Sequence, residues 1–191
     1  MNYRFFHIVA AFLFLFLISC APEGSSDDGP KAYFDLKGFI QNQIVYLNDK
    51  RPEVNKTAVL GGKHEASKTR DIDWKKELEL FVQADINKPS YRQSYEIVQN
   101  GPTRYEYRLK PGSDLPVAYL KIETDSVLRQ PLYVEALIRA KNKIYDSEKK
   151  VVMQAAKHGN LLGVTSYSVD GYQKLIFVER KLFHIKGEIG F

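Results

Sequence analysis

From Tyr95 to the C-terminus, strand-length segments alternate with turn signals, a pattern that folds as an antiparallel meander. Residues 95–99 meet Asn100-Gly101-Pro102, residues 103–109 meet Pro111-Gly112-Ser113-Asp114, and residues 117–123 end at Thr124-Asp125. Residues 132–141 alternate most cleanly. Leu132, Val134, Ala136, Ile138 and Ala140 lie on one side, and Tyr133, Glu135, Arg139 and Lys141 on the other. Asn142 turns the chain into 143–146, Ser147-Glu148 separates this from 149–156, and His158-Gly159-Asn160 turns it again. Asp170-Gly171 has the composition of a two-residue hairpin turn and predicts a reversal between strands 161–169 and 172–180. Residues 182–189 supply the last strand.

Upstream of Tyr95 the apolar period lengthens. Residues 32–48 place Leu36, Phe39, Ile40, Ile44 and Leu47 at helical spacing, and Pro52 pushes Arg51 out of the helical region. Gly38 costs that helix about 1 kcal/mol of propensity. Residues 57–60 and 63–70 flank Gly61-Gly62 and read as a hairpin whose polar second arm is a sheet edge. Asp73 suits the N-cap of a second helix, 74–85, with Trp74, Leu78, Phe81 and Val82 on one face. The expected class is α+β, with N-terminal helices packed on a strongly curved antiparallel sheet. No repeat or second boundary interrupts residues 32–191, which read as one domain long enough to bury a core.

This order of elements resembles the LolA/LolB-type lipoprotein-carrier fold, an incomplete β-barrel with helices plugging its mouth. The resemblance rests on residues 132–145, the segment Tyr167-Ser168-Val169-Asp170-Gly171-Tyr172 and the preceding helices. It implies a concave face that holds a hydrophobic ligand or a lipoprotein acyl chain. Leu132, Val134, Ala136 and Ile138 would then form the sheet wall, and Leu78 and Phe81 the helical lid. The strand tyrosines Tyr105, Tyr107, Tyr119, Tyr133, Tyr167 and Tyr172 suit a filled core as well as a lined cavity, and the sequence leaves both open.

The N-terminal segment bears on location. Arg4 precedes an apolar run from Ile8 to Ile18, then Ser19 and Cys20, the only cysteine. The run falls short of the roughly 20 apolar residues that span a bilayer. Leu17-Ile18-Ser19-Cys20 resembles the lipobox of bacterial lipoproteins. That resemblance implies a signal peptide over 1–19, cleavage before Cys20, and acyl chains on its sulfur and new amine. Several chains, at about 0.8 kcal/mol per buried methylene, make a stable anchor. Residues 20–31, rich in Gly, Ser, Asp and Pro, read as a flexible tether. Ala21, where an aspartate would resemble an inner-membrane retention signal, favours the outer membrane. The Ser25-Ser26-Asp27-Asp28 tract resembles the acidic signals that carry some lipoproteins to the cell surface.

Catalytic signatures are absent from the sequence. His64, His158 and His184 stand apart, and a lipidated Cys20 leaves no thiol, so no metal or cofactor is expected. Gly61-Gly62-Lys63 lacks the upstream glycine and following Ser/Thr of a phosphate loop, and there is no Gly-x-Ser-x-Gly elbow. Glu96 and Glu106 could become cross-strand neighbours, but Arg92, Arg104 and Arg108 lie close enough to pair with them. One of the 28 basic residues, Arg4, falls in the leader, leaving 27 against 23 acidic. That balance gives a weak attraction to anionic headgroups and no nucleic-acid stripe. The expectation is a non-enzymatic, lipid-anchored outer-membrane lipoprotein that binds a hydrophobic ligand. The alternative is a structural adaptor of an envelope complex, with a solid core and a protein-binding surface.

Overall fold

The computed structural model describes residues 31–158 and 161–190. The leader, Cys20, the tether up to Pro30, and Gly159-Asn160 of the expected turn lie outside the described residues. Strands β1 (Glu53–Leu60), β2 (Lys63–Thr69), β3 (Tyr95–Asn100), β4 (Arg104–Leu109), β5 (Val117–Thr124), β6 (Pro131–Lys141), β7 (Tyr145–His158), β8 (Leu161–Leu175) and β9 (Lys181–Gly190) form one antiparallel sheet. Their order is β2-β1-β9-β8-β7-β6-β5-β4-β3. Strands β3 to β9 are a plain meander, and β1 folds back to pair with β9. The two edge strands, β2 and β3, do not pair with each other, so the sheet is open.

That order has a consequence for the helices. The chain leaves β2 at one edge and enters β3 at the other, and the connection carries α2 (Trp74–Glu77), α3 (Glu79–Gln83) and a 3-10 turn at Pro89–Tyr91. Among the described residues, only α1 (Leu36–Lys50) precedes the sheet. The expectation of N-terminal helices is corrected accordingly: the β1–β2 hairpin comes between α1 and the others, because β1 must reach β9 to extend the sheet.

Local chemistry explains where the elements stop. The Asp35 carboxylate accepts from the Gly38 N–H at 3.0 Å, so α1 starts at its N-cap and not at Ala32. Arg51, in the left-handed region at φ 45°, ends α1 ahead of Pro52. Leu36, Ile40, Gln43 and Leu47 form its buried stripe. Gln43 is buried without loss, because its amide donates to the Leu162 carbonyl and accepts from the Val164 N–H, both at 3.0 Å. Gly61 and Gly62, at φ 55° and 84°, make the two-residue turn of the first hairpin. The polar β2 is exposed along nearly its whole length, as an edge strand should be. The expected helix 74–85 instead breaks at Leu78, whose φ of −97° and ψ of 7° bend the chain so that Trp74, Leu78 and Phe81 are all buried.

Two expected breaks in the meander are absent. Ser147 pairs with Ala140 and Gln173 inside an unbroken β7. Asp170-Gly171 is not a turn: Gly171 pairs with Lys149 and Phe183 within β8. A Cβ on Gly171 would lie 2.1 Å from the Glu148 carbonyl oxygen, so this glycine serves close backbone approach. The reversal comes at residues 176–180, where the Val178 N–H donates to the Leu175 carbonyl at 3.1 Å.

The core occupies the sheet face covered by the helices. Its rows follow the register: Ile122, Val134, Met153 and Tyr167 across β5 to β8, then Leu120, Ala136, Val151 and Val169 beside them. Aromatic rings fill the β3–β4 end. Tyr33 meets Tyr95 and Tyr107 edge-on, with centroids 5.9 and 5.2 Å apart. Each phenol there is satisfied: Tyr33 donates to the Arg92 carbonyl, Tyr95 to the Val117 carbonyl, and Tyr107 accepts from the Phe34 N–H.

Candidate functional site

Five of the six residues expected to wall a cavity, Leu78, Phe81, Val134, Ala136 and Ile138, belong to one contiguous buried core. Phe81, Leu78 and Ala136 have no accessible surface. Leu132 stands apart: β6 pairs Tyr133 with Glu123 and Pro131 with Thr124 across a register shift, and Leu132 is half-buried outside that core. Ile138 also borders a cleft, about 630 Å³ in volume, with Leu109, Leu115 and Lys149. Lid and wall thus pack together. Cys20, the expected lipid attachment, lies outside the described residues.

A polar cluster joins α2 to the sheet. Glu77 accepts from the Lys56 ammonium and from the Tyr167 hydroxyl, each at 2.7 Å, so both carboxylate oxygens are engaged. Tyr167, Gly187 and Lys56 share one row across β8, β9 and β1. A Cβ at position 187 would lie 2.2 Å from the Tyr167 ring, so glycine there admits the phenol beneath Glu77. Burial, and then the bond to Glu77, push the Tyr167 hydroxyl well above its ordinary value, so it stays protonated and donates. The cluster borders an open cleft of about 570 Å³, with Ile72, Asp73, Lys76 and Ile185.

On the opposite face, Glu135 accepts from the hydroxyls of Tyr119 at 2.9 Å and Tyr133 at 2.7 Å and pairs with Lys150 at 3.0 Å. Burial acts to raise Glu135, but Tyr133, Lys150 and Tyr119 outweigh it and hold the carboxylate below its ordinary value. Burial, and then Glu135, push Tyr119 up to about 12. His184 bonds to Asp170 through Nδ1 across the β8–β9 ladder. Glu96 faces Arg108, whose guanidinium pairs with Glu106 at 2.7 Å, so those two carboxylates are not opposed. Among the described residues, no group of three His, Cys, Asp or Glu could hold a metal ion.

The surface also carries a feature that the expected strands hide. Leu175 ends β8 and Ile176-Phe177-Val178 form the turn after it, not the middle of a strand, and Phe177 is 93% exposed. The signal was four apolar residues in succession without period-two alternation, flanked by Lys174 and Glu179-Arg180-Lys181. Two neighbouring turns lie beside it: in the β6–β7 turn the Ile144 carbonyl accepts from the Ile176 N–H at 3.1 Å, and in the β1–β2 turn the Gly61 N–H donates to Leu182, at the start of β9, at 3.2 Å. Between the β1–β2 and β8–β9 turns lies a cleft of about 760 Å³, with Leu60, Leu182 and Phe183 beside Lys63, Arg180 and Lys181.

The chain matches no family model, no curated protein and no solved structure. Among the described residues, no helix is long and apolar enough to cross a membrane.

Proposed function

We propose that this chain is a lipid-anchored outer-membrane lipoprotein that acts as a non-enzymatic adaptor in the cell envelope, through its surface and not through a ligand held inside. The carrying observation is the packing of Phe81 and Leu78 into the same buried core as Val134, Ala136 and Ile138. A chain-binding pocket typically encloses several hundred cubic ångströms. Here the corresponding space is taken by side chains, with Tyr33, Tyr95 and Tyr107 completing the filling. The lipobox-like Leu17-Ile18-Ser19-Cys20 supports the anchor. Mass spectrometry of the protein from its native membrane tests this half: the reading requires an N-terminal acylated Cys20, and retention of Met1 or a free thiol removes it. Mild crosslinking in whole cells tests the other half, which requires a discrete protein partner and no co-purifying lipid.

The carrier reading rests on a different observation. It takes the open antiparallel meander, with helices packed on one face, as a half-barrel resembling the LolA/LolB type. In that reading α2 and α3 swing away from β6 to admit an acyl chain. It requires saturable fatty-acid binding accompanied by exposure of Trp74, which lies on the same helical segment and is buried here.

A further inference from the structure

More than half of the large exposed apolar residues among the described ones gather at a single end of the sheet. Ile144 comes from the β6–β7 turn, Leu175 from the end of β8, Ile176, Phe177 and Val178 from the β8–β9 turn, Leu182 from the start of β9, and Leu60 from the end of β1 beside it. Apolar residues scattered singly over a surface need no explanation, but a contiguous tip does. Its surroundings are basic. Lys63, Lys141, Lys143, Lys174, Arg180 and Lys181 are exposed on the β1–β2, β6–β7 and β8–β9 turns and strand ends, with Glu179 and the half-buried Asp146, in register with Lys141 and Lys174, as carboxylates among them. Lys63, Lys143, Lys174 and Lys181 make no ion pair among the described residues, which leaves their ammonium groups to solvent. Arg180 lies over the Tyr172 ring, 3.4 Å from its centroid, which holds one cation beside the turn.

We propose that this tip docks on the surface of an anionic phospholipid bilayer, inserting the turn around Phe177 among the headgroups while the surrounding ammonium groups meet lipid phosphates. Apolar side chains ringed by cations match that interface in both respects: burial of the former removes apolar area from water, and the latter are drawn by the negative surface potential. A second copy of the chain would present the same cations and be repelled, which is why the bilayer is the occupant the charges select. The turn is short and tied by the Ile176–Ile144 hydrogen bond, so little ordering accompanies insertion. This inference is independent of Cys20, because residues from Lys31 onward form their own compact unit with its own core.

The test uses residues 31–191 with Phe177→Trp. Trp74, the native tryptophan, is buried and supplies a constant background. Vesicles of phosphatidylcholine and phosphatidylglycerol in equal parts should shift the emission of the introduced indole to the blue, saturably, while phosphatidylcholine alone should not. Ile176→Asp with Phe177→Asp, in the otherwise native domain, should weaken vesicle co-sedimentation about tenfold or more. Lys143→Gln with Lys181→Gln should weaken it about fivefold per lysine and flatten its salt dependence. Circular dichroism checks that each variant is folded, as expected for exposed turn positions. Three results would overturn the proposal: no emission shift with the mixed vesicles, undiminished binding by the double aspartate variant, or a dimer that this variant abolishes in a protein that ignores vesicles.

Discussion

Phe81→Ala separates a packed interior from a vacant one. The ring has no accessible surface and lies on α3 within the core that includes Leu78, Val134 and Ala136. Returning its apolar area to water costs about 2.5 kcal/mol. An unrelaxed void of roughly 100 Å³ at about 24 cal/mol per Å³ adds about 2 kcal/mol, for a total of about 4–5 kcal/mol. In a domain of this size that lowers Tm by about 10–15 °C and moves the urea midpoint without changing the slope. The complementary change, Ala136→Leu, places a larger side chain between Leu120 and Val151 on the central row and costs about 1–3 kcal/mol by overpacking. Calorimetry and urea titration on residues 31–191 check both. A loss below about 1 kcal/mol for Phe81→Ala, together with a neutral or stabilising Ala136→Leu, refutes the reasoning, because only a vacant interior tolerates both changes.

Further outcomes follow from other parts of the fold. Gly187→Ala drives a methyl into the Tyr167 ring, and the loss should appear as changed near-ultraviolet dichroism and a lower urea midpoint, with Tyr167→Leu in the same background restoring part of it. Gly171→Val, at the position where a Cβ would lie 2.1 Å from the Glu148 carbonyl oxygen, should be among the most destabilising single changes in the sheet and should deplete soluble protein on expression. Asp125 is held down at about 2 by the Leu128 N–H first, then by Lys157 and the Val127 N–H. It therefore stabilises the fold above its ordinary value of 3.8 and loses that contribution as pH falls from there towards about 2, so Asp125→Asn should flatten the stability profile in that window and change its slope little above it. Asp35→Ala removes the α1 cap and should cost about 1 kcal/mol in urea denaturation.

Legibility in the sequence tracked how local the determining physics was. The first hairpin was readable because Gly61 and Gly62 alone supply its positive φ angles, and α1 because its apolar stripe repeats at helical spacing. The Asp170-Gly171 reversal failed for the opposite reason: glycine there answers to the Glu148 carbonyl on a neighbouring strand, a tertiary demand with the same local composition as a turn. Ser147 misled likewise, because its burial inside β7 depends on Ala140 and Gln173 across the sheet. The helix break at Leu78 followed from the need to bury Trp74 and Phe81 together, which no helical wheel shows. Of the candidate wall residues, alternation correctly placed Val134, Ala136 and Ile138 on the covered face, yet it carries no information on whether that face is filled. The apolar turn at Phe177 was hidden by an expected strand through residues 172–180, although its unbroken apolar run departed from strand alternation.

The central claim, an interior closed to ligand, is tested most directly by titrating residues 31–191 with a fatty acid bearing a fluorophore excited by Trp74 emission. The filled core predicts no saturable energy transfer and no change in Trp74 accessibility to a soluble quencher. Saturable transfer that unlabelled fatty acid reverses and that Phe81→Trp perturbs would contradict it, placing an acyl chain between the helices and β6.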